Sequence, residues 1–498
     1  MSMTDSPDDY SYDLFPYESK PYAFLQPDRV GAIGWFYGMK PAAADRCRML
    51  EIGCANGGNL IPLGERYPQS EFVGIDLSSR QIADGQKLLA RLGAVNVRLK
   101  TGDLAELGEE LGTFDYIVAH GVYSWVTPDV AEELLAACAK RLNPQGLATI
   151  SYNTFPGGHF RQVTRDLMLY RARGVRDPAE RVRQARAALE LFAQTVPARG
   201  DGYRAWLQKE LGRIRDEHPS FVLHDEMEEH NHPCYFHEFA SQAGRHGLKY
   251  VADARDGVSS MDGVPPQAAA GIRAMASSEL EAEQYADFYL NTMFRVSVLC
   301  RQEVALESAV SAARVLDLFA ACPVRSQEPV DPAAKAMFQI LGENWPAGIS
   351  VRDLASRVRL HLGWPPGADE QVARLLINQL HFGDIHLCTL PGGFVTTVSE
   401  RPVASLFSRI EAQSCSTVTN RRHSTIFLDD LQRHLLRCLD GNHDHQALCD
   451  AIAGLVASGE AKLPDKAAGL DQAGTREFIR NFVAINLDGL AKRAYLIA

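Results

Sequence analysis

Short apolar runs alternate with helical spacings between residues 48 and 153. Met49-Leu50-Glu51-Ile52, Phe72-Val73-Gly74-Ile75, Val95-Asn96-Val97-Arg98-Leu99-Lys100, Phe114-Asp115-Tyr116-Ile117-Val118-Ala119 and Leu147-Ala148-Thr149-Ile150-Ser151-Tyr152 read as five strands. Between them, helices are predicted from about Asn59, through Ile82, Leu88, Leu89 and Leu92, and through Val130, Leu134, Leu135 and Leu142. Strands alternating with helices predict a parallel sheet with crossovers, the doubly wound α/β class. The alternation stops after the fifth strand. Residues 159–230 read as consecutive helices, through Leu167, Leu169 and Tyr170, then over 185–192 and 206–214. A helix over 235–246, a strand over 248–252 and a last, alternating strand over 294–300 follow.

Past residue 305 an Ala/Val-rich stretch and a proline-containing segment read as a connector. Helices are predicted over 334–341, from Val351 with Ser350 as N-cap, and over 369–382. Ile385-His386-Leu387-Cys388 and Phe394-Val395-Thr396-Thr397 flank Pro391-Gly392-Gly393 and predict a hairpin, so this region has a winged-helix-like pattern. Residues 425–498 read as mostly helical, with Leu428, Leu431, Leu435 and Leu436 on one spacing. At the other end, a tyrosine-rich, proline-punctuated stretch and an amphipathic segment over 29–39 are suited to closing over a pocket.

At 498 residues the chain is long enough for two to four domains, and 46% apolar with 23% charged residues is the make-up of a folded globular protein. The net charge of -11 argues against a nucleic-acid partner, which needs a clustered basic face. No stretch approaches the roughly eighteen apolar residues of a membrane span, and the acidic start does not resemble a secretory signal. No membrane insertion and a cytoplasmic location are therefore expected. The ten cysteines form no C-x-x-C pair, and the run from His224 to His232 has neither H-x-x-x-H nor zinc-finger spacing. Neither a disulfide framework nor a metal site is expected.

The chemistry gathers at the strand ends. Glu51-x-Gly53-x-x-x-Gly57-Gly58 leads the first strand into a helix, and Asp76 closes the second. Glycines let the backbone approach a ligand closely, and an acid after the second strand can accept hydrogen bonds from both ribose hydroxyls. A dinucleotide turn would read G-x-G-x-x-G and seat a pyrophosphate, which Glu51 would repel. That carboxylate suits a ligand carrying an ammonium and a sulfonium, as S-adenosyl-L-methionine does. Cys54 and Ala55 of the turn, Leu77 after Asp76, and Gly102-Asp103 complete the candidate cofactor wall. An ordinary βα turn without a ligand, and a nicotinamide or flavin site, are the other readings of the same turn.

Strand four ends in His120-Gly121-Val122-Tyr123-Ser124-Trp125-Val126 and strand five in Ser151-Tyr152-Asn153-Thr154-Phe155-Pro156-Gly157-Gly158-His159. Methyl transfer is an in-line displacement, so the protein must align donor and acceptor, exclude water and present an amine acceptor in its neutral form. Tyr123, Asn153 and His120 are the candidate catalytic residues. Tyr123, Trp125, Tyr152, Asn153 and His159 are the candidate acceptor contacts. Core packing is the other reading for Tyr123, Trp125 and Tyr152; His120 reads either as a base or as a hydrogen-bonding partner of the cofactor.

The glycine turn with Asp76 resembles the first two motifs of the class I methyltransferases, and Gly102-Asp103 resembles the third, where an acid faces the adenine amino group. Beyond these, Tyr12-Asp13-x-x-Pro16-Tyr17, the stretch from Leu50 to Pro62, the stretch from Ala119 to Val126, Ser151-Tyr152-Asn153-Thr154 and His232-Pro233-x-Tyr235-Phe236-His237-Glu238-Phe239 resemble the bacterial methyltransferases that carry a methyltransferase regulatory domain. That family includes protein lysine methyltransferases acting on outer-membrane proteins. The resemblance covers roughly residues 10 to 305 and is looser in the C-terminal module. It implies that Glu51, Gly53, Asn59, Asp76, Asp103 and His120 touch the cofactor and that Tyr12 and Tyr17 cover it. Asn56 departs from the serine of the family pattern, and Phe24-Leu25-Gln26-Pro27 from a more polar stretch. Class I sheets end in an antiparallel pair, which makes the helices after strand five an insertion on the substrate side.

The expected organisation is an N-terminal cover segment (1–45), a Rossmann-like cofactor-binding core (46–159), a helical insertion (160–230), completion of the methyltransferase sheet (231–305), a connector (306–332) and a C-terminal winged-helix-like and helical module (333–498). The leading functional expectation is a methyltransferase whose acceptor is a protein side-chain amine, lysine by the resemblance. A small-molecule methyltransferase, with accessory domains serving a homodimer, is one alternative. A cofactor-binding regulator without transfer is another: Arg352, Arg357, Arg359 and Arg374 could meet DNA, but Asp353, Asp369 and Glu370 dilute that charge and favour protein contact.

Overall fold

The computed structural model describes residues 15–498 except 18, 105–107, 201, 229, 256, 258, 308–309, 324–330, 383, 465–466 and 468. Its largest sheet contains β1 (Arg48–Ile52), β2 (Glu71–Asp76), β3 (Val97–Thr101), β4 (Phe114–Ala119), β5 (Leu142–Asn153), β6 (Leu248–Asp253) and β7 (Phe294–Arg301). The spatial order is β3-β2-β1-β4-β5-β7-β6, with β1 to β5 parallel and β7 antiparallel to both of its neighbours. Leu50 pairs with Val73 on one side and Ile117 on the other, so the carboxyl ends of β1, β2 and β4 meet where the strand order reverses. Crevices of doubly wound sheets open there.

Helices Leu60–Arg66, Ser79–Leu92 and Pro128–Arg141 occupy the predicted positions. Ser78 caps the second by accepting from the Gln81 amide, and Gly93 ends it in a left-handed conformation. After β5, helices Gly157–Ala172, Pro178–Thr195 and Tyr203–Ile214 lead through Pro219–Phe221 to a π-helical turn, Val222–Glu226. They bury Met168, Leu189, Leu207 and Ile214 together, a core of their own. Two helices that the sequence reading passes over, Pro266–Met275 and Glu279–Leu290, separate β6 from β7. The second carries Asp287 and Glu283, which pair with the fully buried Arg295 of β7 at 2.9 and 3.0 Å.

Three expectations need correction. The connector is not one: Phe319–Ala321 is the central strand, β8, of a second sheet with β9 (Ile349–Ser350) and β10 (His386–Cys388). The expected second hairpin arm at 394–397 is not a strand, because β10 takes its partner from β8 instead. Nor is the whole of 1–45 a cover. Helix Pro27–Phe36 inserts Ala32 and Phe36 into the core shared by Val315, Leu341, Leu354 and Leu376, and its buried Asp28 accepts hydrogen bonds from the Thr389 amide (2.8 Å), the Thr389 hydroxyl (2.8 Å) and the Leu390 amide (3.0 Å).

The rest of the chain has a separate core. Leu431, Leu435 and Leu436 of helix Asp430–Cys438 pack with Leu448, Ile479 and Leu487, and a hairpin not foreseen from the sequence joins β11 (Thr417–Thr419) to β12 (Thr425–Phe427). No helix is long and apolar enough to cross a membrane among the described residues.

Candidate active site

A cavity of about 450 Å³ lies at the carboxyl ends of β1, β2, β4 and β5. The glycine turn forms one wall. Gly53 adopts φ +74°, and a Cβ there would sit 2.5 Å from Val122 Cγ2, so the turn admits no side chain. The Asp76 carboxylate accepts from the Ala55 amide at 2.7 Å and the Ser78 amide at 2.8 Å. Each carboxylate oxygen can accept more than one hydrogen bond, so both can still serve ribose hydroxyls.

Glu51 is buried at the end of β1. Its Oε1 accepts from Asn59 Nδ2 at 3.0 Å, whereas Oε2 has no hydrogen-bond partner among the described residues. Burial, opposed by the Asn59 hydrogen bond and reinforced by the nearby Asp76 charge, pushes its pKa up to about 8. A buried acceptor without a donor is costly, and a cationic amine is the group that would satisfy it. Farther along, Leu77 is 54% exposed to the cavity mouth near Gly102, Asp103 and Leu104, an apolar shelf for a purine beside a carboxylate. These residues fit S-adenosylmethionine: an acid for its ammonium, an acid for its ribose and a flat open face for its adenine.

The N-terminal segment closes the turn from above. Ser19 Oγ accepts from the Gly58 amide at 3.1 Å, and a Cβ on Gly58 would approach the Ser19 carbonyl to 2.7 Å. The Tyr22 amide donates to Asn59 Oδ1 at 3.3 Å, and the Tyr22 ring lies 4.2 Å from that of His120. Phe24 and Phe294 complete this box at 5.6 and 6.0 Å. Burial lowers the His120 pKa to about 4, so the imidazole is neutral, and its Nδ1 has no hydrogen-bond partner among the described residues. Of the two readings of His120, such low basicity favours the hydrogen-bonding partner over the base. Tyr12 lies outside the described residues.

Of the sequence candidates, Glu51, Gly53, Cys54, Ala55, Asn59, Asp76, Leu77, Gly102, Asp103, His120, Tyr17, Trp125 and Asn153 line this one cavity. Three do not. Tyr123 packs edge-on against Tyr152 and Phe239, with its hydroxyl donating to Gln242. Tyr152 stacks on Phe239 at 4.1 Å, and its hydroxyl meets Ser297. His159 is exposed and stacks on Phe155. The strand pleat explains the placement of Tyr152: neighbouring positions at the end of β5 face opposite ways, so Tyr152 enters the core while Asn153 reaches the cavity.

Asp225, Arg161 and Phe221 of the helical insertion also line the cavity, and the sequence reading named none of them as site residues. The Tyr17 hydroxyl donates to Asp225 Oδ2 at 3.2 Å. Burial and the neighbouring Glu226 charge push the Asp225 carboxyl up to about 7, against the attraction of Arg161. Arg161 itself is engaged by Glu226, which also holds Arg213 at 2.6 Å. The signal was the acidic run from His224: its spacing matches no metal-ligand pattern, but as an acidic loop leading into the next helix it is suited to lining the acceptor entrance, where Asp225 is found. Among the described residues, no group of three or more His, Cys, Asp or Glu side chains is placed to share a metal ion.

Comparison with known proteins agrees with this geometry. Residues 50–148 match a methyltransferase domain, 218–301 a predicted methyltransferase regulatory domain, and 400–495 the C-terminal winged helix domain of PKMT. The winged helix therefore falls on the last core, beyond the 333–397 pattern that suggested it. The uncharacterized protein RP028 of Rickettsia prowazekii is 35% identical over 241 residues, 48% of this chain and 96% of that one. RP789 of the same organism is 29% identical over 489 residues, 91% of this chain and 87% of that one. The structure of PKMT2 from Rickettsia typhi superposes with a TM-score of 0.87 at 27% identity, covering 97% of this chain and 100% of that one, and PKMT2 is also solved in complex with AdoHcy.

Fold and cavity define a class I methyltransferase dependent on S-adenosylmethionine. The chain belongs to the bacterial family that joins this catalytic domain to the methyltransferase regulatory domain and the PKMT winged helix domain.

Proposed function

We propose that this enzyme methylates a side-chain amine, that of lysine, on a protein acceptor. The observation that carries the reading is Asp225, a half-buried carboxylate on the insertion side of the cavity, braced by Tyr17 and facing a cofactor site already furnished with its own acids. An amine enters such a pocket as an ammonium, and a carboxylate is its natural counter-charge. The likeness to PKMT2 over nearly the whole length supports a protein acceptor.

When bound, S-adenosylmethionine supplies a methyl group activated by its sulfonium. The chain's own residues then have three tasks. Glu51 and Asp76 fix the donor by its ammonium and ribose. Asp225 would pair with the incoming ammonium and accept its proton, leaving a neutral nitrogen to receive the methyl group. Asn153 narrows the cavity beside that nitrogen; its Nδ2 donates to Asn231 at 3.0 Å, which turns the amide oxygen toward an amine donor. His120, Tyr22, Phe24 and Phe294 exclude water from the transfer.

Incubation with labelled S-adenosylmethionine and size-fractionated lysate tests the proposal. Label in protein, assigned to lysine by mass spectrometry, is expected; label confined to small solutes overturns it.

A further inference from the structure

The turn Asn420-Arg421-Arg422-His423-Ser424 joins β11 to β12 in the winged helix domain, far along the chain from the cofactor site, yet it ends against it. His423 is 2% exposed and its Nε2 lies 2.8 Å from Asn59 Oδ1. That oxygen already accepts from the Tyr22 amide, which fixes which way the Asn59 amide points; Nε2 of His423 must therefore be the donor. Burial keeps the imidazole neutral, so it has one N–H to give. Asn59 passes the constraint on, donating through Nδ2 to Glu51. His423 also holds a left-handed backbone, φ +62°, uncommon for a residue with a side chain.

The same turn is anchored at the other end of the helix that Asn59 begins. Arg66 Nη1 donates to the Arg421 carbonyl at 3.2 Å, and Glu65 accepts from the Leu406 amide at 2.7 Å and from the Ser405 hydroxyl. Gln26 of the N-terminal segment donates to the Arg422 carbonyl at 3.3 Å. Helix Leu60–Arg66, which carries the glycine turn, is thus gripped by the winged helix domain at both ends.

We infer that the winged helix domain completes the cofactor site: His423 is a positioning residue that orients Asn59, and through it Glu51, for the amino-acid end of S-adenosylmethionine. Cofactor affinity then depends on the docking of residues 400–498, and by linkage the bound cofactor tightens that docking. Whatever shifts the domain, an acceptor protein included, acts on cofactor affinity through this one hydrogen-bonded chain.

Calorimetric titration of the full chain with AdoHcy reads the coupling. His423→Ala is expected to weaken binding about ten-fold, one broken hydrogen bond to a polar relay. His423→Gln, whose amide can donate from a similar position, restores most of it. In an Asn59→Ala background His423→Ala should cost nothing further, because the relay is already cut. Unchanged affinity in His423→Ala, a Gln variant as weak as Ala, or an undiminished extra loss in the Asn59→Ala background would each overturn the inference. Should His423→Ala not fold, hydrogen exchange on the unaltered protein decides: added AdoHcy is expected to slow exchange of the 420–424 amides, and unaltered exchange there refutes the coupling.

Discussion

Glu51 offers the sharpest quantitative test of the cofactor site. Its pKa near 8 in the free protein means that about nine-tenths of the molecules carry a protonated Glu51 at pH 7, whereas a bound ammonium requires the ionised form. Binding must therefore expel about 0.9 proton at pH 7. The ionised fraction rises from about 1% at pH 6 to about half at pH 8, so affinity should climb about fifty-fold over that interval, equivalent to roughly 2.3 kcal/mol. The sign follows from the raised pKa: low pH weakens binding and high pH strengthens it. His120 is neutral throughout this range and does not obscure the trend. Calorimetry with AdoHcy in two buffers of different ionisation enthalpy measures both the affinity and the proton count. Glu51→Gln supplies the control, with weaker binding and its share of the slope removed, which also separates it from titration of Asp225. A flat wild-type profile with no released proton would refute the placement of the ammonium against Glu51.

Asp225→Asn should lower kcat by about 10² to 10⁴, the range for loss of a positioned proton acceptor, and should abolish the rise of wild-type kcat with pH through about 7 when S-adenosylmethionine is saturating; a mutant retaining that limb excludes the role. Arg295→Met strands Asp287 and Glu283 in the core and should destabilise the catalytic domain by about 3–5 kcal/mol in urea denaturation. Asp28→Ala removes the counter-charge of Arg66, 3.6 Å away, and the side-chain acceptor of the Leu390 amide and the Thr389 hydroxyl, and a loss of about 2–4 kcal/mol is expected, read as an earlier denaturation midpoint.

The amino-acid order is enough to lay out the catalytic sheet and most of the residues that line the cavity at its strand ends. Both are written in local signals: strand and helix periods between residues 48 and 153, and a turn whose glycines and acids stand within a few positions of one another. Local pattern also read residues 159–230 as consecutive helices, and helices run from Gly157 to Glu226 there. Tertiary structure alone decided the rest, because the deciding contacts join residues hundreds of positions apart. Phe319–Ala321 reads as connector until β9 and β10 arrive to pair with it. Tyr123 and Tyr152 carry the chemistry of a site, but packing around Phe239 turns them into the core. Asp225 becomes a site residue only because the insertion folds back over β5 to meet Tyr17, and His423 only because the winged helix domain docks on helix Leu60–Arg66. Periodicity reports which face of an element is buried; it carries no information about which distant element will bury it.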